Sequence, residues 1–437
     1  MRTRGNAERM SNPPHGWATR RHVVRGLATA AASFALPCPS YAQSRARVVI
    51  IGGGFGGASC ARALRKINSK FQVTLVEPNR IFTACPFSNE VIAGLRDIEA
   101  QQFSYEKIAA GGVSVIAQAA TKVDPQARTV GLADGTSLVY DRLVLAPGID
   151  LRFDALPGYD EAAAEKMPHA WKAGEQTLLL RRQLEAMEDG GTVVLAVPAT
   201  PYRCPPAPYE RASLIAHYLK AKKPRSKILI LDAKDAFSQQ RLFEKAWKEF
   251  YPGMVERIPL SEGGRVVSVE AATNTLVTDF GNHDAQVANV IPPQKAGNIA
   301  NIAGAADKTG WCPIDAATFA SKLVANIHVI GDAVIGGNAP KSASAANAEG
   351  KACAAVIASL LAGTPPERPT IEGTCYNTVT PGYAFSQSGN YQPRDDIFVE
   401  VMGSGFTSPI NALGELRQRE ADQAQSWFKR ITVETFG

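Results

Sequence analysis

Apolar runs of strand length, each followed by a glycine-rich or acidic segment, dominate the first part of the chain. Residues 47–51 have the length and character of a parallel strand buried on both faces. A glycine-rich turn follows, and residues 58–67 then have the pattern of a helix. A second apolar run, at residues 72–76, ends in an acidic residue. Strand, helix and strand in this order predict an α/β fold.

The turn after the first strand has the spacing of a dinucleotide-binding loop. Gly52, Gly54 and Gly57 satisfy the pattern G-x-G-x-x-G, and Phe55 lies within it. Gly52 permits the tight turn, Gly54 lets the backbone approach a pyrophosphate, and Gly57 lets the helix pack on the strand. Glu77 lies 25 positions after Gly52, near the roughly 20 residues expected for an acid that binds the ribose. These features together predict a dinucleotide site.

Two later segments favour FAD over NAD at this site. Residues 143–148 resemble the strand and turn that return to the first domain in FAD-dependent disulfide reductases. Residues 328–333 resemble their second FAD motif, in which an aspartate accepts a hydrogen bond from the ribityl chain. The resemblance implies two Rossmann-like domains arranged as in glutathione reductase. The flavin-contacting residues expected in these segments are Ala146, Pro147, Gly148, Gly331 and Asp332.

The second dinucleotide-type domain is predicted to lack a nicotinamide loop. Enzymes of this superfamily usually carry a second glycine-rich loop, expected here after the buried strand at residues 191–195. Residues 196–206 instead contain four prolines and no glycine. Proline fixes φ and removes N–H donors that a pyrophosphate would need, so we do not expect NAD(P)H to be the redox partner. The loop carries Cys204, which is either a sulfur placed beside the flavin or a buried free thiol.

The positive charge of the chain is concentrated in its first 42 residues. The formal net charge of the 437-residue chain is +6, and residues 1–42 contain six arginines against one acidic residue. The remainder is close to neutral, which argues against nucleic-acid binding. Arg20 and Arg21, an Ala-rich stretch and a small-residue cleavage site before Gln43 predict a twin-arginine signal peptide. We therefore expect the periplasm as the location.

Cysteine and histidine spacing gives no sign of haem or metal. No cysteine pair has C-x-x-C spacing, so no c-type haem attachment is expected in this chain. His169 and His328 lie in unrelated segments without ligand spacing, so no metal site is expected. Cys60 and Cys353 fall on Ala-rich segments and are expected in the core. No stretch after the leader reaches the roughly 18 apolar residues of a membrane span.

Several stretches are more specific than the glycine motif, above all a tryptophan-centred run and a Cys-Pro-Pro loop. They are residues 88–92, 168–177, 203–206, 208–213, 291–294, 310–313, 374–376, 426–427 and 435–437. In these stretches the chain resembles the flavoprotein subunit of flavocytochrome c sulfide dehydrogenase. The resemblance implies an FAD enzyme that oxidises sulfide to sulfur or polysulfide and passes electrons to a haem-bearing c-type cytochrome subunit.

The same resemblance implies roles for individual residues. Cys85 occupies the position of a cysteine that binds the flavin 8α position through a thioether, so covalent FAD is expected. Cys204 and Cys375, 171 positions apart, correspond to the redox-active disulfide of that family. Glu210 matches a carboxylate near the disulfide, where it could act as acid or base, although an exposed helix position would look the same. Trp427 matches an aromatic residue near the flavin, and a core tryptophan would look the same.

Four parts are expected along the chain. Residues 1–42 are the signal peptide, and residues 43–155 with 285–365 form a discontinuous FAD domain. Residues 156–284 form the second dinucleotide-type domain. Residues 366–437 form a C-terminal α+β domain that shapes the flavin site and the cytochrome interface.

Two alternative functions remain at this stage. A sulfide:quinone oxidoreductase shares the fold and the disulfide chemistry, but it needs an apolar surface for membrane docking. Residues 396–437 show no stripe wide enough for stable membrane insertion. A non-catalytic accessory flavoprotein of a sulfur-oxidising complex would keep the FAD motifs. Retention of both Cys204 and Cys375 argues against it, because a binding module needs neither.

Overall fold

Helices alternate with strands along residues 45–437, the part of the chain that the computed structural model describes. The twin-arginine signal predicted at residues 1–42 lies outside the described residues. The helices, in chain order, are α1 (Phe55–Ile67), α2 (Ser88–Ile92), α3 (Glu106–Ala110), α4 (Glu161–Ala164), α5 (Glu175–Ala186), α6 (Ala207–Lys222), α7 (Gln240–Phe250), α8 (Ile299–Ile302), α9 (Ala343–Ala362) and α10 (Gly414–Phe436).

The strands are mostly short. In chain order they are β1 (Arg47–Ile51), β2 (Gln72–Val76), β3 (Ile81–Thr83), β4 (Gln102–Ser104), β5 (Ser114–Ile116), β6 (Ala120–Asp124), β7 (Thr129–Leu132), β8 (Ser137–Val139), β9 (Arg142–Leu145), β10 (Ile149–Leu151), β11 (Thr192–Val197), β12 (Lys227–Asp232), β13 (Val255–Ile258), β14 (Val266–Glu270), β15 (Thr275–Thr278), β16 (Gly281–Asp284), β17 (Val287–Val290), β18 (Gln294–Ala296), β19 (Cys312–Pro313), β20 (Ile327–Val329), β21 (Val334–Ile335), β22 (Ile371–Thr380), β23 (Tyr383–Arg394), β24 (Ile397–Glu400) and β25 (Phe406–Thr407).

The first parallel sheet has the strand order β20, β9, β1, β2, β5. β1 lies at its centre and pairs in parallel with β2 and β9, so its apolar residues are buried. β20 pairs in parallel with β9 although it comes much later in the chain. The turns after β9 and β20 therefore reach the same edge of the sheet as the glycine loop after β1, which is where α/β sheets bind ligands.

Helices α1 and α9 approach each other closely at Gly350. A Cβ at Gly350 would collide with the carbonyl oxygen of Gly56, so only glycine permits this approach. Cys60 and Cys353 lie on these two helices, both fully buried and both free thiols. Their predicted place in the core is confirmed.

A second parallel sheet has the order β13, β12, β11, β17. Its strand β11 is almost wholly buried and leads into the proline-rich loop, after which α6 begins at Ala207. Helix α6 thus follows a strand of a parallel sheet, as a dinucleotide-binding helix does. The loop that joins them differs from such a site, as described below.

The C-terminal part is built around an antiparallel sheet of β22, β23 and β24, with β25 paired to β23. Helix α10 ends at Phe436, whose ring stacks on those of Phe82 and Phe103. Parallel sheets followed by this antiparallel part confirm the predicted fold class, whereas the boundaries of the four parts stay a prediction. Among the described helices, none is both long and apolar enough to cross a bilayer.

Candidate functional site

A cavity of about 520 Å³ opens where the strands β1, β2, β9 and β20 end. It brings together nearly all the residues singled out from the sequence. Those lining it are Gly52, Gly54, Phe55, Glu77, Cys85, Ala146, Pro147, Gly148, Cys204, Glu210, Gly331, Asp332, Cys375 and Trp427. Gly57 does not line it. A Cβ at Gly57 would collide with the carbonyl oxygen of Gly52, which suits its predicted role in helix packing.

The glycine loop is held in shape by Glu77. Gly52 has a φ of 104°, and a Cβ there would collide with the carbonyl oxygen of Ala146. Glu77 Oε2 accepts a hydrogen bond of 2.9 Å from the N–H of Gly53. At Gly54, an added Cβ would have its nearest neighbour 3.6 Å away, on Phe82. Backbone at Gly54 is therefore open to the cavity, and it directly precedes the N-terminus of α1, an arrangement that binds phosphate groups.

Asp332 is a partly buried acid with one unpaired oxygen among the described residues. Its Oδ1 atom has no hydrogen bond in that part of the chain. Burial raises the pKa of Asp332, while the nearby charges of Arg203 and Lys341 act in the opposite direction. A buried polar atom of this kind needs a partner, and Asp332 lines the cavity. Together with the open glycine loop, it means that the residues present fit an FAD.

Cys204 and Cys375 approach the cavity from different sheets. Cys204 lies on the loop after β11 with a φ of 53°, and its N–H donates to the carbonyl of Lys341 at 2.9 Å. Cys375 lies on β22. Both are free thiols in the structure, and the disulfide implied by the resemblance stays a prediction.

Burial is the largest cause of the pKa shift of each thiol. It raises the pKa of Cys204 well above its usual value, and the neighbouring Cys375 and Glu210 act in the same direction. Burial also raises the pKa of Cys375 to about 11, while a hydrogen bond from Ser342 acts to lower it. Both sulfurs belong to residues that line the same cavity.

Glu210 faces the cavity rather than solvent. It lies in the first turn of α6, where its Oε2 accepts 2.7 Å from Asn89 Nδ2 and its Oε1 accepts 2.9 Å from the N–H of Thr378. Burial raises the pKa of Glu210 to about 7, although both hydrogen bonds favour the charged form. Because Thr378 and Cys375 share β22, the strand that carries one sulfur also orients the carboxylate.

Arg211 lines the same cavity but is not distinguished by any motif of the sequence. It is 2% exposed and donates to Asn89 Oδ1, Asn289 Oδ1 and two backbone carbonyls. Asn89 therefore links Arg211 to Glu210. Both Asn89 and Arg211 lie in the stretches at 88–92 and 208–213 that carry the family resemblance, which is the signal that could have identified them.

Cys85 and Trp427 reach the cavity from opposite ends of the chain. Cys85 lies between β3 and α2, with its Sγ 3.7 Å from the carbonyl oxygen of Trp171. Arg203 donates to the same oxygen and also lines the cavity. Trp427 projects from α10, with its ring 6.0 Å from that of Tyr376. Trp427 is thus a cavity residue and not only part of the core.

The position where a nicotinamide ribose would bind in the second sheet is filled by protein side chains. Asp232 ends β12, the place of a ribose-binding acid in a dinucleotide domain. It is 0% exposed and accepts hydrogen bonds from Tyr209 (2.6 Å), Lys234 (2.6 Å) and Arg257 (2.8 Å). Its acceptor capacity is therefore occupied, which agrees with the loss of the second glycine loop.

The remaining cysteines and histidines form no metal centre in the described residues. Cys312 is fully buried, and burial raises its pKa to about 12. Burial lowers the pKa of His169 to about 3 and that of His328 to about 4. Within residues 45–437, no group of three or more His, Cys, Asp or Glu residues is arranged to hold a metal ion.

Three ranges of the chain match known families. Residues 46–204 match the pyridine nucleotide-disulphide oxidoreductases. Residues 177–292 match the central part of the sulfide dehydrogenase [flavocytochrome c] flavoprotein chain. Residues 367–436 match the flavin-binding part of flavocytochrome c sulphide dehydrogenase.

Individual relatives agree with these matches. The sulfide dehydrogenase [flavocytochrome c] flavoprotein chain of Chlorobaculum thiosulfatiphilum is 62% identical over 45 residues, which cover 10% of this chain and 94% of that protein. The mitochondrial sulfide:quinone oxidoreductase of Mus musculus is 23% identical over 320 residues, 70% of this chain and 68% of that one. The solved sulfide:quinone oxidoreductase of Aquifex aeolicus has a TM-score of 0.71 at 18% identity, covering 89% of this chain and 92% of that chain.

Fold and cavity together define an FAD-dependent oxidoreductase of the pyridine nucleotide-disulfide type. Within that class, the chain belongs to the family of flavocytochrome c sulfide dehydrogenase flavoprotein chains.

Proposed function

We propose that this chain oxidises sulfide through a redox-active pair, Cys204 and Cys375, and passes the electrons through FAD to a c-type cytochrome. The observation that carries the proposal is the meeting of both sulfurs and Glu210 in the cavity that also contains the flavin-binding residues. Relatives named for sulfide dehydrogenase and sulfide:quinone oxidoreductase activity support sulfide as the donor.

Different residues of the cavity would bind different parts of FAD. Gly54 and the N-terminus of α1 would hold the pyrophosphate, Glu77 the adenosine ribose, and Asp332 the ribityl chain. When bound, FAD supplies a two-electron acceptor that can release its electrons one at a time. We also propose that Cys85 attaches to the flavin 8α position through a thioether. Acid precipitation tests this: a yellow pellet is expected, and a fully yellow supernatant excludes the thioether.

The proposed chemistry of the cysteine pair begins with hydrosulfide. Its sulfur attacks one sulfur of the Cys204–Cys375 disulfide, so that a new S–S bond forms as the old one breaks. One cysteine becomes a persulfide and the other a thiolate. The proton of the persulfide passes to Glu210, whose pKa of about 7 lets it accept a proton near neutral pH. The persulfide and the released thiolate together hold the two electrons, which bound FAD would accept as the bond between Cys204 and Cys375 re-forms and zero-valent sulfur leaves.

Stopped-flow reduction of the bound flavin tests the proposal. Sulfide should bleach the flavin, whereas NADH should not at ordinary rates, because the nucleotide position after β11 is filled. Cys204→Ser and Cys375→Ser should each abolish bleaching by sulfide while FAD stays bound. Cys312→Ser, at a buried thiol outside the cavity, is the matched control and should bleach normally.

Three opposite outcomes would each contradict one part of the proposal. Normal bleaching in either serine variant would remove the disulfide from the mechanism. Rapid bleaching by NADH would contradict sulfur as the point of electron entry. A wild-type protein that binds FAD but does not respond to sulfide would be the non-catalytic accessory flavoprotein.

A further inference from the structure

Thr378 separates the main cavity from a second, smaller one. It lines the main cavity with Glu210 and also lines the second, which has a volume of about 270 Å³. Glu90 and Gln425 are among the residues of the second cavity. The second cavity therefore begins next to the strand segment whose N–H donates to Glu210.

Glu90 is a buried carboxylate between the two cavities. It is 7% exposed and follows Asn89, the residue that donates to Glu210. Its Oε2 accepts 2.9 Å from Arg96 Nε, and its Oε1 accepts 3.0 Å from Gln425 Nε2. The hydrogen bond from Asn89 to Glu210 thus links the residue next to Glu90 with Glu210, and the charge of Glu90 raises the pKa of Glu210.

The proposed function, on which this inference rests, releases protons inside the main cavity. Conversion of one hydrosulfide to zero-valent sulfur gives up two electrons and one proton. A one-electron acceptor such as a cytochrome takes the electrons only, so one proton must reach bulk water in each turnover. When FAD and substrate occupy the main cavity, Glu210 needs a route that avoids it.

We propose that Glu90 is the relay that carries this proton from Glu210 to the second cavity and so to solvent. Water in the second cavity completes the path, for which the volume is sufficient. The titratable and charged groups near Glu210 are the thiols of Cys204 and Cys375 and the guanidinium of Arg211. Arg96 contacts Glu90, and Asp422 of α10 lines the second cavity with it.

The electrostatics of Glu90 suit a relay. Burial raises the pKa of Glu90, while Arg96 and the hydrogen bond from Gln425 act in the opposite direction. Burial also accounts for most of the rise in the pKa of Glu210 to about 7, and the like charge of Glu90 adds to it. The charge of Glu90 therefore makes Glu210 easier to protonate.

Comparing the first turnover with steady turnover tests the relay. In Glu90→Gln, sulfide should bleach the flavin at close to the wild-type rate once, because Glu210 can still take one proton. Turnover with sulfide and ferricyanide should fall about 10-fold or more, because Glu210 discharges slowly. Formate, a small proton carrier that fits the second cavity, should restore turnover with increasing concentration. Asp189→Asn breaks an exposed 2.8 Å pair with Arg225, away from both cavities, and should change neither phase.

A titration without sulfide gives an independent answer. The infrared band of the protonated Glu210 carboxyl, assigned by its loss in Glu210→Gln, should titrate near pH 7 in the wild type. In Glu90→Gln its midpoint should move to lower pH, because a neighbouring negative charge is gone. An unchanged midpoint, unchanged turnover, or absence of formate rescue would each overturn the relay. Absence of sulfide bleaching in the wild type would instead reject the proposed function. The infrared titration would then still show whether the charge of Glu90 shifts the pKa of Glu210.

Discussion

The surroundings of Glu210 raise the pKa of its carboxyl. Hydrogen bonds from Asn89 and the N–H of Thr378 favour its charged form, yet burial outweighs them and raises its pKa to about 7. An exposed glutamate on a helix would be ionised throughout the neutral range. At this position the carboxyl can both accept and release a proton at working pH, which is what acid–base catalysis requires.

Glu210→Gln should slow the first bleaching of the flavin by sulfide about 100-fold, within the usual range for a general base. In the wild type this rate should rise with pH through about 7, as Glu210 becomes ionised. In the variant that titration should be absent when the rate is expressed per concentration of hydrosulfide anion, because sulfide itself also ionises near neutral pH. Glu175→Gln, which removes an exposed acid from the first turn of α5, is the control and should behave as the wild type. A titration near pH 7 that survives in Glu210→Gln would assign it to another group.

Glu349 gives a prediction about stability. Burial raises its folded-state pKa to about 8, although the N–H of Gly331 donates to it. A raised carboxyl pKa means that the folded state holds the proton more tightly than the unfolded state. The stabilisation is therefore full below the ordinary pKa near 4.5 and is lost as pH rises through about 8.

Glu349→Gln should accordingly flatten the fall in stability between about pH 5 and pH 8.5, since glutamine does not ionise. Its amide oxygen can still accept from Gly331, so the loop keeps its hydrogen bond. Urea unfolding of both proteins across this range measures the difference, which should grow with pH. Parallel curves would show that Glu349 is not the group responsible.

At the scale of elements, the contact between α1 and α9 depends on one glycine. Gly350→Ala would place a Cβ against the carbonyl oxygen of Gly56, and the helices would have to separate. We expect a loss of about 1–3 kcal/mol in the free energy of unfolding, measured by urea or thermal denaturation. Gly414→Ala, at the start of α10 with no atom within 4 Å, should be nearly neutral. Equal stability of the two variants would contradict the close packing.

At the scale of the whole molecule, the electrons are expected to leave to a second protein. The chain carries no C-x-x-C haem motif, and its family is named for flavocytochrome c, so we expect a c-type cytochrome partner. The protein should copurify from periplasm with a band that stains for haem, consistent with the predicted twin-arginine signal. It should also reduce cytochrome c in buffer faster than a quinone in detergent. Faster quinone reduction would favour the sulfide:quinone oxidoreductase alternative instead.

Local features of the chain were sufficient for the flavin part of this protein. The loop at Gly52, Gly54 and Gly57 follows its strand directly, and the distance to Glu77 is that of one strand–helix–strand unit. Such features depend on neighbours in sequence, so spacing and residue type predict them. The missing second glycine loop was visible for the same reason.

Only the tertiary structure brought together groups that are distant in sequence. Cys204 and Cys375 lie 171 positions apart and meet because β22 and the loop after β11 border one cavity. The burial of Glu210, the occupied carboxylate of Asp232 and the place of Glu90 beside a second cavity depend on packing between elements. The sequence by itself determined the cofactor class, whereas packing determined the titration and the path of protons, because burial and charge act through space.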